Sequence, residues 1–133
     1  MTAIILVCHA PLGQALHAVA CHAFGRYIPD VVVADISENS SLLEATAVIE
    51  KLWVQEGRPH DVVVLADLLG ATPSNAASAW LSLHRELNAK GLTGVSVPMM
   101  LKALTYNDLP ADELVDKLSD CVAPSSAPIE PAG

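Results

Sequence analysis

The chain has 133 residues, enough for one domain with its own hydrophobic core. Hydrophobic residues make up 52% and charged residues 17%, which excludes intrinsic disorder over most of the chain and a long solvated coiled coil. Its 7 basic and 15 acidic residues give a formal net charge of −8, so we expect no nucleic-acid partner and no binding to an anionic membrane surface.

The first half of the chain predicts two strand–helix units. An apolar run at Ala3–Cys8 is typical of a buried strand, and a helix is predicted over Gln14–Phe24. Val31–Asp35 predicts the second strand. The helix after it begins at a capping box, with Ser41 as the N-cap and Glu44 three residues further on. Its inward face is predicted to carry Leu42, Ala45, Ile49 and Leu52.

The second half predicts two further units and a last helix. Asp61–Ala66 is the run richest in β-branched residues and predicts the third strand. Thr72, as an N-cap followed by a proline, predicts a helix that extends to about Leu87. The remaining predicted elements are a strand at Gly94–Val97, a helix at Met99–Thr105 and a helix after Pro110. The inward residues predicted for the third and last helices are Ala77, Trp80, Leu81 and His84, and Leu114, Leu118 and Cys121.

The composition changes near the C-terminus. From Ala123 onward, three prolines and the lack of apolar periodicity predict a flexible tail, so we expect one domain over residues 1–122 and a Pro-rich tail over 123–133. No apolar run is long enough for membrane insertion. A signal peptide would need a basic segment, and no Lys or Arg precedes Arg26, so we expect a cytoplasmic protein.

Alternating strands and helices predict an α/β fold, namely a flavodoxin-like three-layer sandwich with a mainly parallel sheet of order 2-1-3-4. Ligands of such sheets bind beyond the carboxyl ends of the strands, where the winding reverses, here between strands 1 and 3. His9 follows strand 1 and Asp67 follows strand 3. Because neighbouring strands lie ~4.8 Å apart, we expect the two side chains to meet.

This pair of residues predicts a particular chemistry. A carboxylate that accepts from one imidazole nitrogen leaves the other nitrogen free as a nucleophile or base. Two helix N-termini, one after Gly13 and one at Thr72, are expected to point at the same place and offer N–H groups to an anion. Taken singly, His9 and Asp67 also fit capping roles in loops, but their shared location favours phosphoryl transfer through a phosphohistidine.

Other kinds of site find less support in the sequence. The pairs Cys8-His9 and Cys21-His22 lack the spacing of a zinc site, and we expect no metal. The motifs of a P-loop and of a serine hydrolase are missing. The three cysteines fit reduced thiols better than a disulfide framework.

Three blocks of sequence resemble the mannose-class IIA domains of the bacterial phosphoenolpyruvate-dependent phosphotransferase system. AIILVCHAPLGQAL resembles the opening of that family, VVVLADLLGATPSNAA its second block and TGVSVPMMLKAL its third. The blocks stand in the family's order and span most of residues 3–104. Ala10 stands where the family often has glycine, and Leu69-Gly70-Ala71 replaces its frequent Trp-Gly-Gly.

The resemblance implies a phosphotransferase with no cofactor. In this interpretation His9 receives a phosphoryl group from the phosphocarrier protein HPr and passes it to a IIB protein, while Asp67 holds the imidazole ring. The residues that the resemblance assigns to the phosphoryl oxygens are Thr72, Gly70, Ala71 and Ser74. It also implies a homodimer built by exchange of a C-terminal strand, although the Pro-rich tail is a poor strand.

Two alternative functions stay open from the sequence. The phosphotransfer subunit of a dihydroxyacetone kinase uses a similar domain, but the Thr-Pro-Ser-Asn sequence at 72–75 favours the mannose class. A regulatory binding module that feeds no transporter is the other alternative.

Overall fold

Four parallel strands form one sheet in the computed structural model, which describes all residues 1–133. The strands are β1 (Ala3–His9), β2 (Val31–Ile36), β3 (Asp61–Ala66) and β4 (Asn88–Leu92). Their order is β2-β1-β3-β4, which confirms the predicted topology. The winding reverses between β1 and β3, where Val7 pairs with Ala66, so His9 and Asp67 both lie at the carboxyl edge of the sheet's centre.

Five helices cover the two faces of the sheet, which confirms the three-layer sandwich. The helices are α1 (Leu12–Phe24), α2 (Leu42–Gln55), α3 (Thr72–Leu83), α4 (Val97–Thr105) and α5 (Ala111–Ser119). Side chains of β1 alternate between two hydrophobic clusters: Ile4 and Leu6 pack with α1, α4 and α5, whereas Ile5 and Val7 pack with α2 and α3. No helix combines the length and apolar character needed to cross a bilayer.

The central strand β1 is buried on both faces, which explains its uninterrupted apolar sequence. Residues 4–8 of the chain are at most 1% exposed. Burying each large aliphatic side chain contributes roughly 1.5–3 kcal/mol, so this strand is a main source of stability. A rigid central strand fixes the position of the residue at its end, His9.

The prediction of the fourth strand is wrong. The strand is β4 rather than Gly94–Val97, and α3 ends at Leu83 instead of about Leu87. The sequence NAKGL has little preference for strand structure. It becomes a strand because it pairs with β3, where Gly91 lies opposite Val64.

The segment predicted as that strand is the turn that leads into α4. Gly94 has a φ of 79°, which favours glycine. Ser96 is the N-cap of α4, and its hydroxyl accepts a hydrogen bond from the Met99 N–H. The N-cap at Ser96 was not predicted, and α4 therefore begins at Val97 instead of Met99.

The buried face of α2 is rotated from the predicted one. The capping box is present, since the Ser41 hydroxyl accepts from the Glu44 N–H and the Glu44 carboxylate accepts from the Ser41 N–H. Leu42, however, is 49% exposed, and Trp53 is buried in its place. The rotation brings Trp53 into edge contact with Trp80 of α3. Predicted inward residues that are buried are Ala45, Ile49, Ala77, Trp80, Leu114, Leu118 and Cys121.

Removal of the tail is expected to change stability little. Every residue from Val122 onward is exposed, and Ile129 is 97% exposed. A chain that ends at Val122 should lose less than ~1 kcal/mol and keep its melting temperature within a few degrees. Thermal unfolding followed by circular dichroism measures the change in melting temperature.

A chain that ends at Pro110 is the control and should not fold stably, because it also lacks Leu114 and Leu118 of the core. A large loss from the shorter truncation would show that the tail packs on the domain or on a second copy.

Candidate functional site

The side chains of His9 and Asp67 meet at the carboxyl edge of the sheet. His9 is the last residue of β1, and Asp67 directly follows β3. The His9 Nδ1 lies 2.8 Å from Oδ2 of Asp67, and the same oxygen accepts the His9 backbone N–H at 2.9 Å. The His9 side chain is 47% exposed and that of Asp67 is 10% exposed. The largely buried Asp67 carboxylate therefore holds the His9 ring from the protein side, while the ring faces solvent.

The charge of Asp67 determines which ring nitrogen is free. Burial raises the pKa of this carboxyl, but the hydrogen bonds from the His9 N–H and imidazole outweigh that effect and lower the pKa below its ordinary value of 3.8. An ionised carboxylate only accepts hydrogen bonds, so Nδ1 of His9 carries the proton. In the neutral ring the lone pair is therefore on Nε2, which makes no hydrogen bond within the chain.

Cys8, beside His9 in the sequence, is not a competing nucleophile. Burial raises the pKa of its thiol to about 12, and the negative charges of Asp67 and Asp35 act in the same direction. The thiol therefore stays protonated at neutral pH, and a thiol is a far weaker nucleophile than a thiolate.

The loop after Asp67 leads into the N-terminus of α3. Gly70 has a φ of 82°, which turns the chain sharply toward the helix. The N-cap residue is Ala71, and Thr72 is the first helical residue, so the prediction of Thr72 as the N-cap is wrong. A proline as the next residue fits either of the first two helical positions, which is why the sequence did not distinguish them.

The first turn of α3 keeps several donors free. The backbone N–H groups of Ala71, Thr72 and Ser74 have no hydrogen-bond partner within the chain. The Ser74 hydroxyl is buried and donates to the Ala71 carbonyl at 3.0 Å, so its backbone N–H is the donor that Ser74 has available. Free N–H groups at a helix N-terminus favour an anion.

The N-terminus of α1, by contrast, is already occupied, so the second anion-binding helix end was wrongly predicted. Asp35, near the end of β2, accepts from the Gly13 N–H at 2.8 Å and from the Gln14 N–H at 3.1 Å. The carboxylate of Asp35 thereby neutralises the dipole of α1. Of the two helix ends predicted at this edge, only that of α3 is open to an external anion.

Asp35 is the site residue that sequence analysis missed. It occupies the position on β2 that corresponds to the end of β1, where Cys8 pairs with it. The contact also requires Gly13, because a Cβ there would lie 2.5 Å from Oδ1 of Asp35 and 2.7 Å from Cγ1 of Val33. The signal was available: an acidic residue ends a predicted strand next to strand 1, at the same edge as His9.

Substitution of Asp35 by alanine is expected to lower the free energy of unfolding by about 1–2 kcal/mol, the usual cost of losing a helix cap. Urea unfolding of the two proteins measures the difference. Asp30→Ala is the matched control, because Asp30 is also half-buried but accepts no side-chain hydrogen bond. Equal stability of both variants and the wild type would show that the contact to α1 contributes nothing.

The other histidines lie away from this edge or have structural partners. His17 shares a hydrogen bond with the Ile28 carbonyl, and His84 with Glu50. His22 and His60 are exposed. No group of three or more His, Cys, Asp or Glu side chains is arranged to hold a metal ion.

One known protein family matches almost the whole chain, including the three sequence blocks and the His9–Asp67 pair. A model of the EIIA-man family, described as the PTS system fructose IIA component, matches residues 3–119. The chain belongs to this family. Membership confirms the resemblance drawn from the three blocks and gives this IIA protein a general role in phosphotransfer.

Solved structures share the fold of this IIA protein at low sequence identity. The phosphotransferase component EIIA of Streptococcus agalactiae is 24% identical, with a TM-score of 0.85 over 96% of this chain and 97% of that one. The mannose/sorbose-specific IIA subunit of Enterococcus faecalis is 20% identical, with a TM-score of 0.86 over 99% and 97%. No curated protein matches the sequence significantly.

The same fold also occurs in a protein with a different description. A sigma-54 interaction domain protein from Enterococcus faecalis is 9% identical to this IIA protein, with a TM-score of 0.76 over 93% of this chain and 92% of that one. The fold alone therefore does not determine what a member of this structural class acts on.

Proposed function

We propose that His9 is the phosphorylated residue of this IIA protein, and that it accepts the group from HPr and passes it to a IIB protein. The observation that carries the proposal is the 2.8 Å contact between Nδ1 of His9 and Oδ2 of Asp67, which leaves Nε2 as the free nitrogen of a half-exposed ring. Family membership supports phosphotransfer in general.

In the transfer step, the phosphoryl group moves from a ring nitrogen of the donor to Nε2 of His9. The Nε2 lone pair of His9 attacks phosphorus, the new N–P bond forms, and the donor's ring nitrogen leaves with its electron pair. Nδ1 keeps its proton and its hydrogen bond to Asp67, so the phosphorylated ring is positively charged. The carboxylate stabilises that charge, and the reverse sequence delivers the group to the IIB acceptor.

The N-terminus of α3 is the proposed binding site for the phosphoryl oxygens. The free N–H groups of Ala71, Thr72 and Ser74, together with the Thr72 hydroxyl, are the donors, and Gly70 shapes the loop that presents them. These donors are fixed before the group arrives, so little reorganisation accompanies transfer. Neither a metal nor a cofactor takes part, because the donor is already a reactive phosphohistidine.

Exposed apolar side chains at the same edge support docking of protein partners. Leu68 and Leu69, which follow Asp67, are 58% and 78% exposed, and Leu12 at the start of α1 is 38% exposed. Apolar residues around a reactive side chain are typical of a recurrent interface. We place these reactions in the cytoplasm, where the three free thiols stay reduced.

The test is reconstitution of the transfer with labelled phosphoenolpyruvate, the first enzyme of the system and HPr. The chain is expected to acquire one label that is labile to acid and stable to base, and to lose it when a IIB acceptor is added. Omission of HPr is the control and should leave the chain unlabelled. A chain that acquires no label from phosphorylated HPr would overturn the proposal.

A further inference from the structure

A cavity of about 560 Å³ lies between α3 and β4, outside the His9–Asp67 pair. Its volume falls within the range of small-molecule sites. Helix α3 forms one wall, and Val64 and Ala66 of β3 with Gly91–Thr93 form the other. β4 is the edge strand of the sheet, so the cavity opens to solvent along that edge.

A glycine on β4 creates part of the space. Gly91 lies opposite Val64 on the face of the sheet that α3 covers, and it has no side chain to fill the gap beneath the helix. A Cβ at Gly91 would lie 3.2 Å from Cδ1 of Leu81, so a larger residue would crowd the floor of the cavity. Val64, Ala77 and Leu81 give this floor an apolar surface.

Free hydroxyl groups line the α3 wall. Ser78 and Ser82 are one helical turn apart and face the cavity, and neither hydroxyl has a hydrogen bond within the chain. This differs from the hydroxyls in the other helices, each of which donates to the carbonyl four residues earlier, namely Thr46, Thr105 and Ser119. Thr93, on the opposite wall, also has a free hydroxyl.

Arg85 adds a positive charge to the same cavity. Its guanidinium forms no ion pair, since the three ion pairs of the chain all involve histidine. None of the 7 Lys and Arg side chains forms an ion pair, and Arg85 is the one among them that lines the cavity, which has no acidic lining residue. A guanidinium presents several N–H donors in a fixed plane and binds phosphate oxygens in pairs.

We propose that this cavity binds a phosphorylated sugar or polyol. The phosphate group binds Arg85, the hydroxyls of the ligand hydrogen-bond with Ser78, Ser82 and Thr93, and its carbon skeleton lies on the apolar floor at Leu81. A charged group, a row of free hydroxyls and an apolar surface together match this class of ligand and no purely apolar one. Binding does not depend on phosphorylation of His9.

The cavity also extends toward the proposed phosphoryl site. Leu69, Ser74 and Asn75 line its far end, next to the loop that precedes α3.

Titration of the ¹⁵N-labelled chain with glucose 6-phosphate, followed by NMR, tests the proposal. Saturable shifts are expected for amides of residues 74–93, and Arg85→Gln should weaken binding about tenfold or more. Lys90→Gln is the matched control, because it removes the same charge from the other face of β4, where Lys90 lies near Asp112 of α5. It should bind as the wild type does, and so should His9→Ala.

Three further ligands show which groups of glucose 6-phosphate the cavity recognises. Glucose and inorganic phosphate should each bind far more weakly than glucose 6-phosphate. Glucose lacks the phosphate that binds Arg85, and inorganic phosphate lacks the sugar hydroxyls and carbon skeleton. Glucuronate tests whether a carboxylate replaces the phosphate, and binding as tight as that of glucose 6-phosphate would overturn the phosphate assignment. No saturable shift at about 10 mM glucose 6-phosphate, or equal binding by Arg85→Gln, would overturn the site. Loss of binding in His9→Ala would move the ligand to the α3 N-terminus and also overturn it.

Discussion

Replacement of His9 by alanine is expected to abolish phosphorylation of the chain by HPr. His9 is the one histidine that the sheet places at the end of a central strand beside a carboxylate. Without its Nε2, no imidazole or thiolate remains beside the α3 N-terminus, because the high pKa of about 12 keeps the Cys8 thiol protonated. The number of labels per chain that survive base but are released by acid measures the loss.

Two exposed histidines provide the controls for this experiment. His22→Ala and His60→Ala change side chains that have no hydrogen bond in the structure, and both proteins should acquire the same label as the wild type. Circular dichroism should show that His9→Ala is folded, since the His9 side chain is 47% exposed. Full labelling of folded His9→Ala would show that another residue carries the phosphoryl group.

The position of His9 and Asp67 was predictable because it depends on the topology of the sheet alone. β1 and β3 are uninterrupted apolar runs, which identify central strands, and the reversal of winding then brings their ends together. This placement follows from the strand order and does not depend on the chemistry of either side chain. The sequence therefore predicted that the two side chains meet, and their role in transfer stays a prediction.

The features that were missed depend on contacts between distant segments. β4 has a weak strand sequence and exists through its pairing with β3, which no local pattern reports. Asp35 caps a helix that precedes it by about twenty residues, and this long-range contact was missed although the predicted strand order places β2 beside β1. The cavity beside Arg85 likewise depends on Gly91 of β4, which faces α3.

Asp67→Asn is expected to slow transfer to His9 by roughly 10²-fold or more, as for other charge-stabilising groups. The asparagine keeps the shape but removes the negative charge that stabilises the phosphorylated ring. Its amide has two orientations. One presents N–H groups to the two His9 donors, and the other places the NH₂ at the position of Oδ1, which is buried and has no partner. An unsatisfied buried amide costs about 1–3 kcal/mol, so a moderate loss of stability is also expected.

The rate is therefore measured at a temperature at which circular dichroism shows both proteins folded, by rapid mixing with phosphorylated HPr. Asp35→Asn is the matched control: it removes a charge at the same edge, but Asp35 bonds to α1 and not to the His9 ring. Its transfer rate should fall far less than that of Asp67→Asn. Because hydrogen bonds from His9 hold the pKa of Asp67 below 3.8, the wild-type carboxylate is charged at neutral pH, where the comparison is made. Equal rates for Asp67→Asn and the wild type would reduce Asp67 to a loop cap and leave His9 as the sole functional residue of the pair.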